Sequence, residues 1–209
     1  MKTSGLTKDD IALTTRLYDE YHEQYGMEDG WDKNHKQDNF AYMMRLPELT
    51  GVPISGSTCL DVGCGTGDLS LFLRKRGMKD YLGIDIYKTS VERAREKYPS
   101  EKFLLGDFLN MRIRRKFDYA FCSGALTIKL TNMDNYEFLA QVVSKMWRLA
   151  RVGIVFNVLT EDDPFPDPDL FFYSIPRLLS ICREVAGEDA RIVSEKTPDV
   201  SQVHVYMHR

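Results

Sequence analysis

Ser57-Thr-Cys-Leu-Asp-Val-Gly-Cys-Gly-Thr-Gly67 is the stretch of sequence that decides the fold of this chain. Residues 58–62 predict a short buried strand, and a helix is predicted directly after the stretch, over 68–76. Between them, Gly63, Gly65 and Gly67 leave the backbone bare, so N–H groups at the helix start can face a ligand. The stretch therefore predicts a strand–turn–helix unit that binds a ligand.

The sequence after this unit alternates between predicted strands and helices. Further strands are predicted at 81–85, 102–105, 117–122, 152–158, 191–195 and 202–208, and further helices at 88–97, 134–150 and 174–186. Such alternation is typical of an α/β protein with a doubly wound, mostly parallel sheet covered on both faces. The turn sequence at 196–199 predicts that the last two strands are neighbours.

The residues before residue 57 predict two helices and little else. Thr7 and Asp10 have the spacing of a capping box and begin a helix that runs to about Tyr25. A loop with Trp31 follows, and then a second helix over 35–46 that is expected to stop at Pro47. Residues 1–6 are expected to be disordered.

Composition narrows the class of protein. The chain has 209 residues, which suits one domain, and a net charge of −3, which gives no reason to expect a nucleic acid or an anionic membrane as partner. Its four cysteines form no C-x-x-C pair. We interpret them as reduced thiols of a cytoplasmic protein that has no metal site and no membrane-spanning segment.

The spacing of the glycines disfavours a dinucleotide. A G-x-G-x-x-G fingerprint that starts at Gly63 would need glycine at position 68, where the chain has Asp68. A carboxylate at the helix start would repel a pyrophosphate. Asp61, before the turn, favours a ligand with cationic groups, although a tight turn without a ligand is the simpler alternative.

The ends of the next two strands carry acids that suit an adenosine. Asp85 ends the second strand, where a carboxylate can accept hydrogen bonds from both ribose hydroxyls. Asp107 follows the third strand and can accept a hydrogen bond from the exocyclic amine of adenine, beside the flat ring of Phe108. A surface carboxylate and a plain Gly-Asp turn are the alternatives for these acids.

Taken in order, these motifs resemble those of the class I S-adenosylmethionine-dependent methyltransferases of the small-molecule type. The matching segments are 60–67, 83–86, 106–108 and 117–119, and the resemblance covers about residues 57–209. It implies a Rossmann-like sheet of seven strands, mostly parallel with an antiparallel last strand. It also implies one methyltransferase domain over 1–209, in which 1–50 form a helical lid and 57–209 the cofactor-binding core.

The resemblance further implies where S-adenosylmethionine and its product S-adenosylhomocysteine bind. The methionine part would lie against Asp61 and the turn, and the ribose against Asp85. The cofactor-binding residues implied in this way are Asp61, Gly63, Cys64, Gly65, Gly67, Asp85, Ile86, Asp107, Phe108 and Cys122. The sequence marks no catalytic residue. None is required by the reaction, because the methyl group of a sulfonium is already attached to a good leaving group.

The acceptor is less well defined by the sequence. The segment after the fourth strand, Cys122-Ser-Gly-Ala125, lacks the motifs that the family uses for adenine, catechol or protein-arginine acceptors, which leaves a small molecule. Tyr21, Trp31 and Asn157 are the candidate substrate-binding residues. A non-catalytic cofactor-binding regulatory protein, a nicotinamide-dependent oxidoreductase and an aminopropyl transferase are the competing hypotheses. We expect a monomer or a homodimer.

Overall fold

The computed structural model describes residues 5–25, 33–188, 190–198 and 201–209. Its helices are α1 (Lys8–Tyr25), α2 (Lys33–Met43), α3 (Arg45–Thr50), α4 (Asp68–Arg74), α5 (Lys88–Lys97), α6 (Asn135–Leu149) and α7 (Ile175–Ala186). Its strands are β1 (Thr58–Val62), β2 (Asp80–Asp85), β3 (Lys102–Leu105), β4 (Phe117–Cys122), β5 (Ala150–Thr160), β6 (Phe172–Tyr173), β7 (Arg191–Lys196) and β8 (Gln202–His208). The predicted loop with Trp31 lies outside the described residues.

The strands form one mixed sheet in the order β3-β2-β1-β4-β5-β8-β7, and the short β6 pairs with β5. The pairings from β3 to β5 are parallel, whereas β8 runs antiparallel to both β5 and β7. This confirms the expected α/β fold with an antiparallel last strand. From β1 the chain moves outward to β2 and β3 and then returns to β4 on the other side of β1. A crevice therefore opens at the carboxyl ends of β1 and β4, where ligands of such sheets bind.

The core lies on both faces of this sheet, because successive side chains of a strand point to opposite faces. Leu60 and Val62 of β1 belong to a cluster that is completed by α6 and α7. Cys59, between them, belongs to a second cluster on the other face, together with Leu73 of α4 and Val91 of α5. Strands that are covered on both faces explain the nearly continuous apolar runs of β1 and β4.

The prediction that the second helix stops at Pro47 is wrong. α2 ends at Met43, and a separate short helix, α3, contains Pro47 in its first turn. N–H groups in the first turn of a helix have no intrahelical acceptor, so proline costs nothing there. α3 ends instead at Gly51, whose φ of 68° is left-handed.

α1 is fastened to the rest of the protein through Asp10, which is fully buried. The predicted capping box is present, since the Asp10 N–H donates to Thr7 Oγ1 at 3.1 Å and Thr7 Oγ1 donates to Asp10 Oδ2 at 2.6 Å. Asp10 Oδ1 accepts from the backbone N–H groups of Thr131 and Asn132 at 3.2 and 3.1 Å. Burial alone would raise the pKa of Asp10, but these donors outweigh it and leave the pKa below its usual value. The carboxylate thus ties the start of α1 to the loop after β4.

Asp118 ties β1 to β4, the two strands that flank the crevice. Its Oδ2 accepts from the N–H and the hydroxyl of Thr58 at 2.8 and 2.7 Å. Burial opposes the charge of Asp118, yet the bonds from Thr58 and the nearby Arg151 hold its pKa below its usual value. The ionised form of Asp118 is therefore favoured by folding.

We expect Asp118→Ala to lower the free energy of unfolding by about 1–3 kcal/mol at pH 7, since it removes a charged acceptor and leaves the Thr58 N–H unpaired. Because folding depresses the pKa of Asp118, its contribution is complete above pH 3.8 and is lost as the pH falls through the lower folded-state pKa. Urea unfolding at pH 7 and near pH 3 measures both effects. Thr58→Val, which removes only the hydroxyl, is the control and should cost less. A deficit of the same size at both pH values would contradict this assignment.

Candidate functional site

The glycine turn after β1 requires glycine for its backbone conformation and for space. Gly63 and Gly67 have φ angles of 72° and 80°, in the left-handed region that other residues avoid. A Cβ atom at Gly63 would lie 2.1 Å from Cβ of Ala125, and one at Gly67 would lie 2.6 Å from the ring of Phe103. The turn consequently packs its bare backbone against the loop after β4 and against β3.

Asp85, at the end of β2, holds this turn in place. Its Oδ2 accepts from the Gly65 N–H at 2.8 Å, and its Oδ1 accepts from the Tyr87 N–H at 2.8 Å. One residue earlier, the carbonyl oxygen of Ile84 accepts from the N–H groups of Gly63 and Cys64 at 2.8 and 3.2 Å. The orientation of the Asp85 carboxylate is therefore fixed by backbone groups on both sides of it.

Asp61 is a buried carboxyl group directly below the turn, and only 2% of it is exposed. The Tyr81 hydroxyl donates to its Oδ2 at 2.6 Å. Burial raises the pKa of Asp61 to about 7, with the bond from Tyr81 opposing this shift and the charge of Asp85 adding to it. Near neutral pH the group is therefore close to half protonated, and a cation placed beside it would favour the ionised form.

Two adjoining cavities meet at the turn, each of about 670–680 Å³ with its open mouth included. The first, the acidic cavity, is lined by Asp61, Asp68 and Asp85 together with the turn. The second, the apolar cavity, is lined by residues that include Ile86, Phe108, Leu126 and Val142. Tyr18, Gly63 and Asp85 line both cavities. Asp85 thus lies at the junction between an acidic and an apolar compartment.

Asp107 and Phe108 form one wall of the apolar cavity. Asp107 accepts from the Leu109 N–H at 2.8 Å and from the amide of Asn110 at 2.7 Å, and the Leu6 N–H lies 3.1 Å from its Oδ2. Lys145 of α6 lies 4.7 Å from the centre of the Phe108 ring and donates to the backbone carbonyls of residues 108, 109 and 111. Lys145 therefore holds the turn after β3, a role that no sequence motif indicated.

α1 covers the two cavities. The ring of Tyr18 stacks on that of Tyr87, with centroids 5.4 Å apart and planes at 19°. The Tyr87 hydroxyl donates to Asp19, one residue further along α1. The roof over Asp85 is thus built from aromatic rings that belong to two distant segments of the chain.

The structure brings most of the sequence-predicted cofactor residues to these cavities. Those that line one or both are Asp61, Gly63, Cys64, Gly65, Asp85, Ile86, Asp107, Phe108 and Cys122. Gly67 lines neither and instead precedes α4 as its N-cap residue.

Of the three predicted substrate residues, the two that the structure describes, Tyr21 and Asn157, line neither cavity. Tyr21 is 38% exposed, and Trp31 is outside the described residues. Asn157 is fully buried, and its Oδ1 accepts from the Gly124 N–H at 2.8 Å, which supports the loop beside the acidic cavity.

Several side chains of the acidic cavity belong to no motif that the sequence offers, among them Asn39, Tyr87, Ser90 and Ser123. Asn39 comes from α2, in a polar stretch that has no recognisable motif, and Ser123 follows β4. In the described part of the chain there is no group of three or more histidine, cysteine or acidic residues that could hold a metal ion. None of the described helices has the length and hydropathy to cross a membrane.

Comparison with known proteins finds that part of the chain is similar to methyltransferases. Residues 59–150 match the family model described as "Methyltransferase domain". A protein of Invertebrate iridescent virus 6 whose name describes it as a methyltransferase is 28% identical over 139 residues, which are 61% of this chain and 52% of that protein. The malonyl-[acyl-carrier protein] O-methyltransferase of Hamiltonella defensa is 35% identical over 118 residues, 55% of this chain and 42% of that enzyme. The chain therefore spans about half the length of these curated relatives.

A solved structure extends the likeness of the fold to nearly the whole chain. The magnesium protoporphyrin IX methyltransferase of Synechocystis, crystallised with bound SAH, superposes with a TM-score of 0.68 at 18% identity and covers 94% of this chain and 99% of its own. Its sheet belongs to the same Rossmann-like fold as β1–β8 described above. The family-model match and the fold agree: residues 59–150 are similar to methyltransferase domains, and they contain the glycine turn of the Rossmann-like sheet.

Proposed function

We propose that this protein transfers a methyl group from S-adenosylmethionine to a small-molecule acceptor in the cytoplasm. One observation carries the proposal: Asp85 joins an apolar compartment walled by Phe108 to an acidic compartment floored by the buried Asp61. S-Adenosylmethionine has a flat base at one end, a ribose in the middle, and an ammonium and a sulfonium at the other. The chemical character of the two compartments matches that order of groups.

The residues present fit the cofactor at each part. Phe108 and Ile86 supply apolar surface for the adenine, and Asp107 lies beside them with a carboxylate that can accept from an amine. Asp85, fixed by the N–H groups of Gly65 and Tyr87, is placed to accept from ribose hydroxyls. Asp61 supplies a buried carboxyl for the ammonium group. Gly63 lines both cavities, and the absence of a Cβ there leaves room for the side chain of Ala125.

In such a reaction the residues of the protein position the cofactor and the acceptor, and they exclude water from the reacting atoms. The bound cofactor supplies a methyl group on a sulfonium, which is already activated. Tyr18 and Tyr87 cover the junction of the cavities, which limits access of water to the reacting atoms. The acidic cavity continues past the turn to Ser123 and Gly124, where an acceptor can lie next to the methionine end.

The proposal extends to the domain organisation, the cellular compartment and the class of acceptor. We take residues 1–209 as one methyltransferase domain, with a lid over 1–50 and a core over 57–209, because Asp10, Tyr18 and Leu6 contact residues that line or border the cavities. The four cysteines are buried free thiols, which suits a reducing compartment. The names of the H. defensa and Synechocystis relatives support an acceptor that is not a nucleic acid.

Asp85→Ala should weaken binding of S-adenosylhomocysteine by about 1–3 kcal/mol, roughly 5- to 150-fold in Kd, because it removes charged hydrogen bonds to the ribose and releases the Gly65 turn. Isothermal titration calorimetry measures the effect. Asp80→Ala is the matched control, since Asp80 lies at the opposite end of the same strand and pairs with Arg115. Unchanged affinity in Asp85→Ala would place the ribose elsewhere.

Asp61 should make cofactor binding depend on pH. Burial holds its pKa at about 7 without ligand, and the ammonium group favours the ionised form, so binding below that pH releases a proton. Affinity for S-adenosylhomocysteine should therefore rise from pH 6 to pH 8. Calorimetry in two buffers of different ionisation enthalpy counts the protons released. Asp61→Asn, which cannot ionise, should show a flat profile and no proton release, and a pH dependence that survives this substitution would point to another group.

Label transfer tests the proposed activity as a whole. Protein incubated with methyl-labelled cofactor and a deproteinised small-molecule extract should move label into a low-molecular-weight product. If S-adenosylhomocysteine binds and no label moves to any acceptor, the protein is a cofactor-binding partner rather than an enzyme.

A further inference from the structure

Three buried polar atoms on the neighbouring strands β5 and β8 have no hydrogen-bond partner among the described residues. They are Nδ2 of Asn157, Oε1 of Gln202 and Nε2 of His204, and we call them the polar cluster. At most 2% of each of these residues is exposed. Buried polar groups of folded proteins are normally paired, because an unpaired one costs free energy. A group from outside the chain is therefore expected to pair with the polar cluster.

The sheet brings these residues together on one of its faces. Asn157 lies directly opposite His204 in the antiparallel pairing, and Gln202 is two residues before His204 on the same face. Val155 and Tyr206, one repeat away on each strand, pack on the face that α2 and α4 cover. The polar cluster lies on that face as well, and the Cβ atoms of a directly opposed pair are about 5 Å apart.

The polar cluster continues the crevice beyond the acidic cavity. Asn157 Oδ1 accepts from the Gly124 N–H at 2.8 Å, and Gly124 and Ser123 line the acidic cavity. Because Cys122 pairs with Phe156, Ser123 is level with Asn157. Ser123, Asn157 and His204 thus follow one another across β4, β5 and β8, and two strand spacings separate the first from the last by about 10 Å. This is the edge of the sheet at which ligands of such folds bind.

The helix α2 covers both the polar cluster and part of the acidic cavity. The ring of Tyr42 stacks on that of His204, with centroids 4.8 Å apart and planes at 16°. The backbone carbonyl of Tyr42 accepts from the Tyr206 hydroxyl at 2.9 Å. Asn39, on the preceding turn of α2, lines the acidic cavity. A ligand that extends from that cavity therefore reaches the polar cluster when Tyr42 moves aside.

The polar cluster suits an uncharged group. Burial lowers the pKa of His204 to about 4, so its imidazole is neutral at pH 7. Nδ1 of His204 lies 3.5 Å from Thr197 Oγ1, and Nε2 donates or accepts according to the tautomer. Nδ2 of Asn157 is a donor and Oε1 of Gln202 is an acceptor. A charged group would be buried there without a counterion in the cluster, which costs far more free energy than burial of a neutral one.

We propose that the methyl acceptor is an elongated molecule, one end of which carries an uncharged hydroxyl or carboxamide that Asn157, Gln202 and His204 bind. The proposal rests on the methyltransferase function proposed above and adds the class of acceptor. The polar end lies beneath Tyr42, and the reacting atom lies beside the methionine end of the cofactor, about 10 Å away across two strands. Such a group accepts from Asn157 Nδ2 and donates to Gln202 Oε1 or His204 Nε2. The three residues position the acceptor and take no part in the transfer itself.

Substitution of His204 separates recognition of the acceptor from stability of the fold. His204→Phe keeps a flat ring beneath Tyr42 and removes both polar nitrogens. The variant should resist urea at least as well as the wild type, because it loses an unpaired buried polar atom. Its KM for the acceptor should rise about tenfold, the factor expected for one lost hydrogen bond. His204→Gln, which keeps a donor and an acceptor, should give a KM between those of the wild type and His204→Phe.

The KM can be measured before the acceptor is identified. Protein is incubated with methyl-labelled S-adenosylmethionine and serial dilutions of a deproteinised small-molecule extract, and the dilution that gives half-maximal transfer of label serves as KM. The Kd for S-adenosylhomocysteine, measured by calorimetry, should stay within about twofold in every variant. His208→Phe is the matched control, since His208 is a buried histidine at the opposite end of β8. It should leave the KM unchanged.

A side-chain NMR measurement tests contact with the acceptor directly. The chromatographic fraction of the extract that receives the label is added to protein saturated with S-adenosylhomocysteine. It should shift the Cε1–H resonance of His204 and leave that of His208 in place.

The outcomes separate this proposal from the function on which it rests. A His204→Phe protein that is less stable than the wild type and has an unchanged KM would show that the polar cluster is structural, for example paired by an internal water. That result, or equal KM shifts in His204→Phe and His208→Phe, would overturn the proposed acceptor site and leave the methyltransferase function standing. Wild-type protein that binds S-adenosylhomocysteine and transfers no label would overturn both.

Discussion

The hydrogen bond from the Gly65 N–H to Asp85 is the constraint on which the site depends. It couples the turn after β1 to the end of β2, two segments that the parallel sheet brings side by side through the pairing of Val62 with Ile84. The same carboxylate accepts from the Tyr87 N–H and so fixes the start of α5. One side chain therefore sets the relative position of the glycine turn, of α5 and of the aromatic ring that stacks beneath α1. The two cavities share a border at that point because these three segments converge there.

The electrostatics of the site result from burial more than from net charge. The chain carries a formal charge of only −3, yet three carboxyl groups line one cavity. The charge of each group is compensated in a different way. Asp85 accepts from backbone N–H groups, and Asp68 accepts from Lys97 and Tyr98. The pKa of Asp61 is raised to about 7, so its negative charge is reduced near neutral pH. A ligand that brings positive charge is needed only by the last of these. The cavity is therefore lined by three carboxyl groups, but only at Asp61 does it favour a positively charged group of the ligand.

The sheet and the glycine turn could be predicted from the sequence because the signals there are local. Glycines at 63, 65 and 67 are needed by their own backbone angles, and Asp85 and Asp107 follow apolar strands that are recognisable by themselves. What could not be predicted depends on contacts between distant segments. Asn39 lies in a polar helix without a motif, and it lines the acidic cavity because of where α2 packs. Lys145 donates to three carbonyl groups that are more than 30 residues away in sequence. Pro47 misled the prediction because proline is tolerated in a first helical turn, and sequence alone did not show that a new helix begins at Arg45.

The attachment of α1 through Asp10 has a further consequence for ligand exchange. Asp10 is joined to Thr131 and Asn132 across more than 120 residues of chain, so the docking of α1 closes a long loop. No strand pairing passes through α1, and its local unfolding leaves the sheet intact. The roof and the floor of the site therefore differ in thermodynamic stability. Exchange of a ligand beneath α1 can therefore proceed by the opening of contacts that the sheet does not need, those of Asp10, Tyr18 and Asp19.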